Sequence, residues 1–174
     1  MITYLTGDAT DPQGPGPKLI VHICNDRGGW GKGFVLAVSR RWKYPERAYR
    51  RWYNEDTDLF AGEFKLGAIQ VVPVQGDPPL SVVNMIAQAG YGKGNRNLHR
   101  SDEPDSTPPI RYDALEQCLH EVGVLVKSGV AKGASIHMPR IGCGLAGGTW
   151  AEIEPIIQRT LGHAAVYVYD LPGS

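Results

Sequence analysis

Hydrophobic and polar positions along the chain follow two periods. Six short apolar, largely β-branched runs predict strands: Ile2–Leu5, Leu19–Cys24, Ala68–Val74, Ser81–Ile86, Ala134–Met138 and Ala165–Tyr169. Leu19-Ile20-Val21 and Val166-Tyr167-Val168 are apolar throughout, the pattern of strands covered on both faces. Between the strands the spacing becomes helical. From Gly33 to Trp52, Val35, Val38, Trp42, Tyr49 and Trp52 recur on one face, and Pro45 is expected to split the stretch into two helices. Pro109 to Lys127 predicts a helix with Ala114, Leu115, Cys118, Leu119, Val122 and Leu125 as its apolar stripe and Gly129 as its stop. A last helix spans Thr149 to Leu161, where Thr149 and Glu152 have capping-box spacing and Gly162 follows the end.

Strands alternating with helices place the chain in the α/β class, and its 174 residues amount to one domain. Gly and Pro together make up 35 residues, about one in five, so a compact core carrying many tight loops is expected. The 18 basic and 18 acidic residues cancel, which argues against general nucleic-acid or anionic-membrane binding. Cys24, Cys118 and Cys143 are odd in number and lack metal-ligand spacing, which suits a reducing compartment. No signal-peptide pattern and no apolar run of ~18 residues is present, so the reading is a cytoplasmic, monomeric protein without a membrane segment.

The chemistry lies in two glycine-rich loops, each expected between a strand and a helix. They are Asn25-Asp26-Arg27-Gly28-Gly29-Trp30-Gly31-Lys32-Gly33 and Arg140-Ile141-Gly142-Cys143-Gly144-Leu145-Ala146-Gly147-Gly148. Such loops present backbone N–H groups at a helix N-terminus, and the absent side chains let a phosphate approach. In a parallel sheet both would sit at the strands' carboxyl ends, which points to a diphosphate held from two sides. Gly142, Gly144 and Gly147 also fit GxGxxG, with Asp170 after the next strand; a small NAD-dependent oxidoreductase is therefore an alternative. Only four residues follow Asp170, leaving no room for a second nucleotide-binding half, and Gly31-Lys32-Gly33 lacks the hydroxyl residue of a P-loop.

Ile2-Thr3-Tyr4-Leu5-Thr6-Gly7-Asp8, His22-Ile23-Cys24-Asn25 with Trp30-Gly31-Lys32-Gly33-Phe34, and Met138-Pro139-Arg140-Ile141-Gly142-Cys143-Gly144-Leu145 together resemble a macrodomain. The likeness is to the branch that includes terminal ADP-ribose protein glycohydrolase and the macrodomain of a chromatin remodeller. It covers nearly the whole chain and implies a single domain over 1–174, a three-layer α/β/α sandwich with a mixed central sheet, and ADP-ribose as ligand. By that resemblance Asp8 would accept a hydrogen bond from the adenine amino group, with Ala9 and Tyr169 beside the base. Arg140, Ile141, Gly142, Cys143, Gly144, Leu145 and Ala146 would hold the diphosphate. Asn25, Gly31, Lys32, Gly33 and Phe34 would surround the distal ribose.

The departures from that pattern bear on activity. The glycohydrolase's nucleophilic Lys falls at Gln88, and the catalytic Asp that follows Gly-Cys-Gly-Leu falls at Ala146. Neither replacement is a nucleophile. The expectation is a mono-ADP-ribosyl-acceptor hydrolase acting on O-linked, acidic side chains by water attack, with Asn25, Gln88 and Asp26 as candidates to orient water or ribose. The partner is then a mono-ADP-ribosylated protein, or a nucleic acid, and no cofactor is required. A non-catalytic ADP-ribose reader is the alternative. Lys93 reads as a solvated loop lysine, and the irregular segment from Gly90 to Pro109 as a functional or disordered loop. Arg40, Arg41, Lys43, Arg47, Arg50 and Arg51 read as a solvated helix surface, His22 and His137 as satisfied core residues, and Cys143 as a small loop residue; no metal site is expected.

Overall fold

The protein is described by a computed structural model over residues 2–55, 61–91 and 107–173. In chain order its elements are β1 (Ile2–Thr6), β2 (Lys18–Asn25), α1 (Phe34–Arg41), α2 (Tyr44–Glu55), β3 (Ile69–Gly76), β4 (Pro79–Gln88), α3 (Tyr112–Ser128), β5 (Ser135–Met138), α4 (Trp150–Leu161) and β6 (Val166–Asp170). The strands form one mixed sheet in the order β1-β6-β5-β2-β4-β3. Every pairing is parallel except that of β3 with β4 at one edge. All six predicted strands are present, within two residues of their expected bounds.

Side-chain alternation along β2 explains the layers. Leu19 and Val21 pack with Leu115, Leu119, Ile153 and Ile157 of α3 and α4. Ile20 and Cys24 point the other way, into Val35, Val38, Tyr49 and Trp52 of α1 and α2. A sheet buried on both faces needs apolar residues at consecutive positions, which is why this strand shows little alternation in sequence. The result is the expected three-layer α/β/α sandwich.

The break between α1 and α2 falls at Trp42 and Lys43, and Pro45 occupies the first turn of α2, where a missing N–H costs nothing. One predicted helix start and one predicted cap need correction. α3 begins at Tyr112 because the backbone before it is used elsewhere: Pro109 O accepts from Ala89 N, Arg111 N donates to Ala87 O, and Ile110 N donates to Ala146 O. Residues 109–111 thus extend along the end of β4 and cannot join the helix. At α4, Thr149 is the N-cap residue, but its side chain makes no capping bond, so no capping box forms. Lys93 and most of the 90–109 segment lie outside the described residues. Among the described residues no helix is long and apolar enough to cross a membrane.

Candidate functional site

Five of the strands are parallel, so their carboxyl ends open on one edge of the sheet. That edge gathers Gly7 and Asp8 after β1, the Asn25–Gly33 loop after β2, Gln88 at the end of β4, the Pro139–Gly148 loop after β5, and Asp170 ending β6. The two glycine loops approach each other there: a Cβ at Gly33 would stand 3.6 Å from a methyl of Leu145, which is itself 60% exposed.

The first loop is built by Asn25. Its Oδ1 accepts from Arg27 N at 2.8 Å and Gly29 N at 3.1 Å, and its Nδ2 donates to Gly29 O at 2.9 Å. This closes Asn25–Gly29 into a tight side-chain-held turn. The buried Tyr49 hydroxyl touches the same turn: it accepts from Gly28 N at 3.1 Å and donates to Asn25 O at 2.6 Å, with Asn25 Oδ1 3.0 Å away. Arg50 adds a bond from Nη1 to Gly28 O at 2.8 Å. Beyond the turn, the amides of Gly31, Lys32 and Gly33 have no protein acceptor among the described residues, and they lead into the N-terminus of α1.

Asp26 and Gln88 act together on the neighbouring chain. The Asp26 side chain, only 6% exposed, accepts from Gly90 N at 2.9 Å, while Gln88 Nε2 donates to Gly90 O at 2.9 Å. Both sides of Gly90 are therefore clamped, and the Tyr91 ring beyond it lies beside Gly29, where an added Cβ would stand 3.2 Å from it. β2 and β4 bring the two clamp residues together, since the register pairs Asn25 with Gln88 across a bulge.

The second loop divides its glycines by role. Gly142 has φ 75°, and a Cβ there would stand 2.5 Å from Ile110 Cδ1 and 3.0 Å from Ile153 Cδ1. Gly148 is equally confined, 2.7 Å from Gly142 O, so both pack the loop onto the core. A Cβ at Gly144, by contrast, would meet nothing within 4 Å. The loop's internal bonds use the amides of Cys143, Gly147 and Gly148, leaving those of Gly142, Gly144, Leu145 and Ala146 without a protein acceptor among the described residues. Ala146 is buried, and its carbonyl holds Ile110. Burial pushes the Cys143 thiol upward, so it is not a thiolate nucleophile.

Asp8 Oδ1 accepts from Thr10 N at 2.8 Å and Thr10 Oγ1 at 2.7 Å, forming an Asx turn over the buried Ala9. Tyr169 is 4% exposed; its hydroxyl meets Gln13 N at 3.0 Å and His137 Nδ1 at 2.7 Å. Its hydroxyl thereby ties the Asp8–Pro17 loop to β5. Arg140 is turned to Asp170, which it grips with two bonds of 2.7 and 2.9 Å while its guanidinium lies over the rings of Tyr4 and Trp150. Both groups are shifted toward their charged forms by that pairing, Asp170 downward and Arg140 upward. A surface groove of about 720 Å³ between α3 and α4 is lined by Glu116, His120, Arg159 and His163, and no residue of either glycine loop lines it.

In the sequence Tyr49 stands only on an apolar stripe, and nothing local marks Arg50 or Tyr91 as neighbours of the Asn25–Gly29 turn. The stripe position of Tyr49 was legible, but the target of its hydroxyl depends on how α2 packs. Among the described residues no group of three or more His, Cys, Asp or Glu gathers as metal ligands would.

No family model matches the chain. A solved protein from Bacteroides thetaiotaomicron is 51% identical, with 98% of each chain covered and a TM-score of 0.83. Chromodomain-helicase-DNA-binding protein 1-like of Mus musculus is 30% identical over 177 residues, which is 99% of this chain and 18% of that protein, so the chain spans under a fifth of that relative's length. ADP-ribose 1''-phosphate phosphatase of Candida glabrata is 26% identical over 172 residues, covering 88% of this chain and 90% of that one. The solved macrodomain protein from Streptomyces coelicolor is 44% identical with a TM-score of 0.76, and the match covers 98% of this chain and 99% of that one. Likeness of that degree over the full length of both chains means that this chain belongs to the macrodomain family.

Proposed function

We propose that the sheet-edge cleft binds ADP-ribose and that the protein hydrolyses mono-ADP-ribose from O-linked, acidic side-chain acceptors. The observation that carries the ligand is the pair of abutting glycine loops with unpaired amides, at Gly31–Gly33 and at Gly142, Gly144, Leu145 and Ala146. Converging N–H groups beside two helix N-termini suit a diphosphate. Asp8 keeps Oδ2 for the adenine amino group while Oδ1 holds Thr10. The distal ribose then faces Asn25 and Phe34. The name of the Candida glabrata relative, a phosphatase of ADP-ribose 1''-phosphate, supports a ligand of this class.

In the reaction, water adds to the ester that joins ADP-ribose to the acceptor, and the products are free ADP-ribose and the regenerated carboxyl group. Gln88 and Ala146 supply no nucleophile. Of Asn25, Gln88 and Asp26, only Asp26 can take a proton, so it is the base in this reading; Asn25 and Gln88 hold the loops around it. Positioning and the loop amides supply the rest of the catalysis. Because neither of those two positions carries a nucleophile, a non-catalytic reader is the second reading. The oxidoreductase alternative is opposed by the Arg140–Asp170 pair, which engages the carboxylate that a cofactor ribose would need.

The test is single-turnover release of ADP-ribose from a Glu-linked mono-ADP-ribosylated protein, with calorimetric ADP-ribose binding alongside. Binding with release is expected, and Asp26→Asn should slow release about 100-fold or more without weakening binding. Binding without release from any O-linked acceptor would establish the reader. Absence of both would overturn the assignment of the cleft.

A further inference from the structure

We infer that Tyr49 and Arg50, neighbours on α2, are positioning residues that fix the distal-ribose end of the cleft; this rests on the proposed reading of that cleft. The Asn25–Gly29 turn contains Gly28 and Gly29 in sequence, the residues least able to hold one backbone conformation unaided. α2 holds it from outside. The Tyr49 hydroxyl reaches Gly28 N and Asn25 O, and Arg50 Nη1 reaches Gly28 O, so donor and acceptor of one glycine are both engaged. Tyr49 is in turn immobilised: it is fully buried, and its ring lies 5.5 Å from that of Trp30 and 5.9 Å from that of Phe64. Burial holds its phenol well above the usual range, so it stays protonated and can donate. Arg50 is steadied by Glu46 one helical turn earlier, at 3.0 Å.

The consequence is selectivity for one part of the ligand. Asn25 is the residue nearest the distal ribose in the proposed pose, whereas the adenine and diphosphate positions are built by Asp8 and the Gly142–Ala146 loop. A turn that is already ordered in the free protein loses less entropy when it receives the sugar. Removing the Tyr49 hydroxyl should therefore weaken the grip on the distal ribose and spare the rest.

The experiment compares calorimetric binding of ADP-ribose and of ADP, which lacks the distal ribose, to wild type, Tyr49→Phe and Arg50→Gln. Wild type should prefer ADP-ribose. Tyr49→Phe should lose about tenfold in ADP-ribose affinity and under about twofold in ADP affinity, the scale of one lost hydrogen bond. The exposed Arg50→Gln should show the same selective loss at about threefold, and it decides the matter if Tyr49→Phe fails to fold. Equal losses for the two nucleotides, or a preference kept in both variants, would overturn the inference. So would a wild type that binds the two nucleotides equally. A wild type that binds neither would instead overturn the reading of the cleft, and this inference with it.

Discussion

At the scale of single residues, glycine is the informative type. The sequence shows a run of glycines after β5 but not which are there for the fold and which for the ligand. Gly142 has φ 75°, and a Cβ there would stand 2.5 Å from Ile110 Cδ1, so Gly142→Ala combines backbone strain with overpacking. We expect it to cost about 2–3 kcal/mol in denaturant unfolding. Gly144→Ala meets nothing within 4 Å and should leave stability within about 0.5 kcal/mol, yet weaken ADP-ribose binding about tenfold by blocking approach to the amides. If the two variants behave alike in both assays, this division of roles is wrong. The turns that Asp8 and Asn25 hold join residues within four positions, so a local reading reaches them. The partners of Arg140 and Tyr169 lie far along the chain: Arg140 bonds Asp170, thirty positions away, and Tyr169 bonds Gln13 and His137.

At the scale of elements, every strand was readable, because a sheet covered on both faces demands unbroken apolar runs. Helix ends were less so. The capping-box spacing at Thr149 and Glu152 is present, but the Thr149 side chain forms no cap, and its amide is held by the Tyr112 hydroxyl at 3.2 Å. Thr149→Ala should accordingly cost under about 0.5 kcal/mol, against the ~1 kcal/mol typical of a working Thr cap. A larger loss, measured as a shift in urea midpoint at constant slope, would mean that the hydroxyl does cap the helix. The start of α3 was misplaced for a related reason: residues 109–111 bond to the end of β4 and to Ala146, partners that no local window contains.

At the scale of the whole molecule, two histidines tie stability to pH. His22 is fully buried; its Nε2 lies 2.6 Å from Asn84 Oδ1, and its Nδ1 has no hydrogen-bond partner among the described residues. Desolvation lowers its pKa to about 4 despite the opposing Asn84 bond. His137, between Ser135 and Tyr169, is also lowered to about 4, by desolvation first and by the charge of Lys18 second. Both stay neutral in the fold, whereas the unfolded chain protonates them below about pH 6.5. Stability is therefore full above that pH and falls as pH drops from about 6.5 to about 4, with His22 contributing on the order of 3 kcal/mol. Urea unfolding from pH 7.5 to pH 4.5 should show the fall, and His22→Gln should flatten it between pH 6.5 and 5. Equal midpoints across that range would contradict neutral burial.

Hydrophobic periodicity determined the α/β class and the six strands, since burial on a sheet or helix face leaves its period in the chain, and glycine content marked the two loops. The macrodomain resemblance supplied the layer count and the ligand class, and the fold and the full-length likeness to a solved macrodomain bear out the architecture and the family. Only the tertiary structure decided which side chains act on which loop. Tyr49 reaches Asn25 from another element, Asp26 and Gln88 close on Gly90 through strand register, and Arg140 turns to Asp170. A hydrogen bond depends on distances of a few tenths of an ångström between residues far apart in sequence, and no periodicity encodes that.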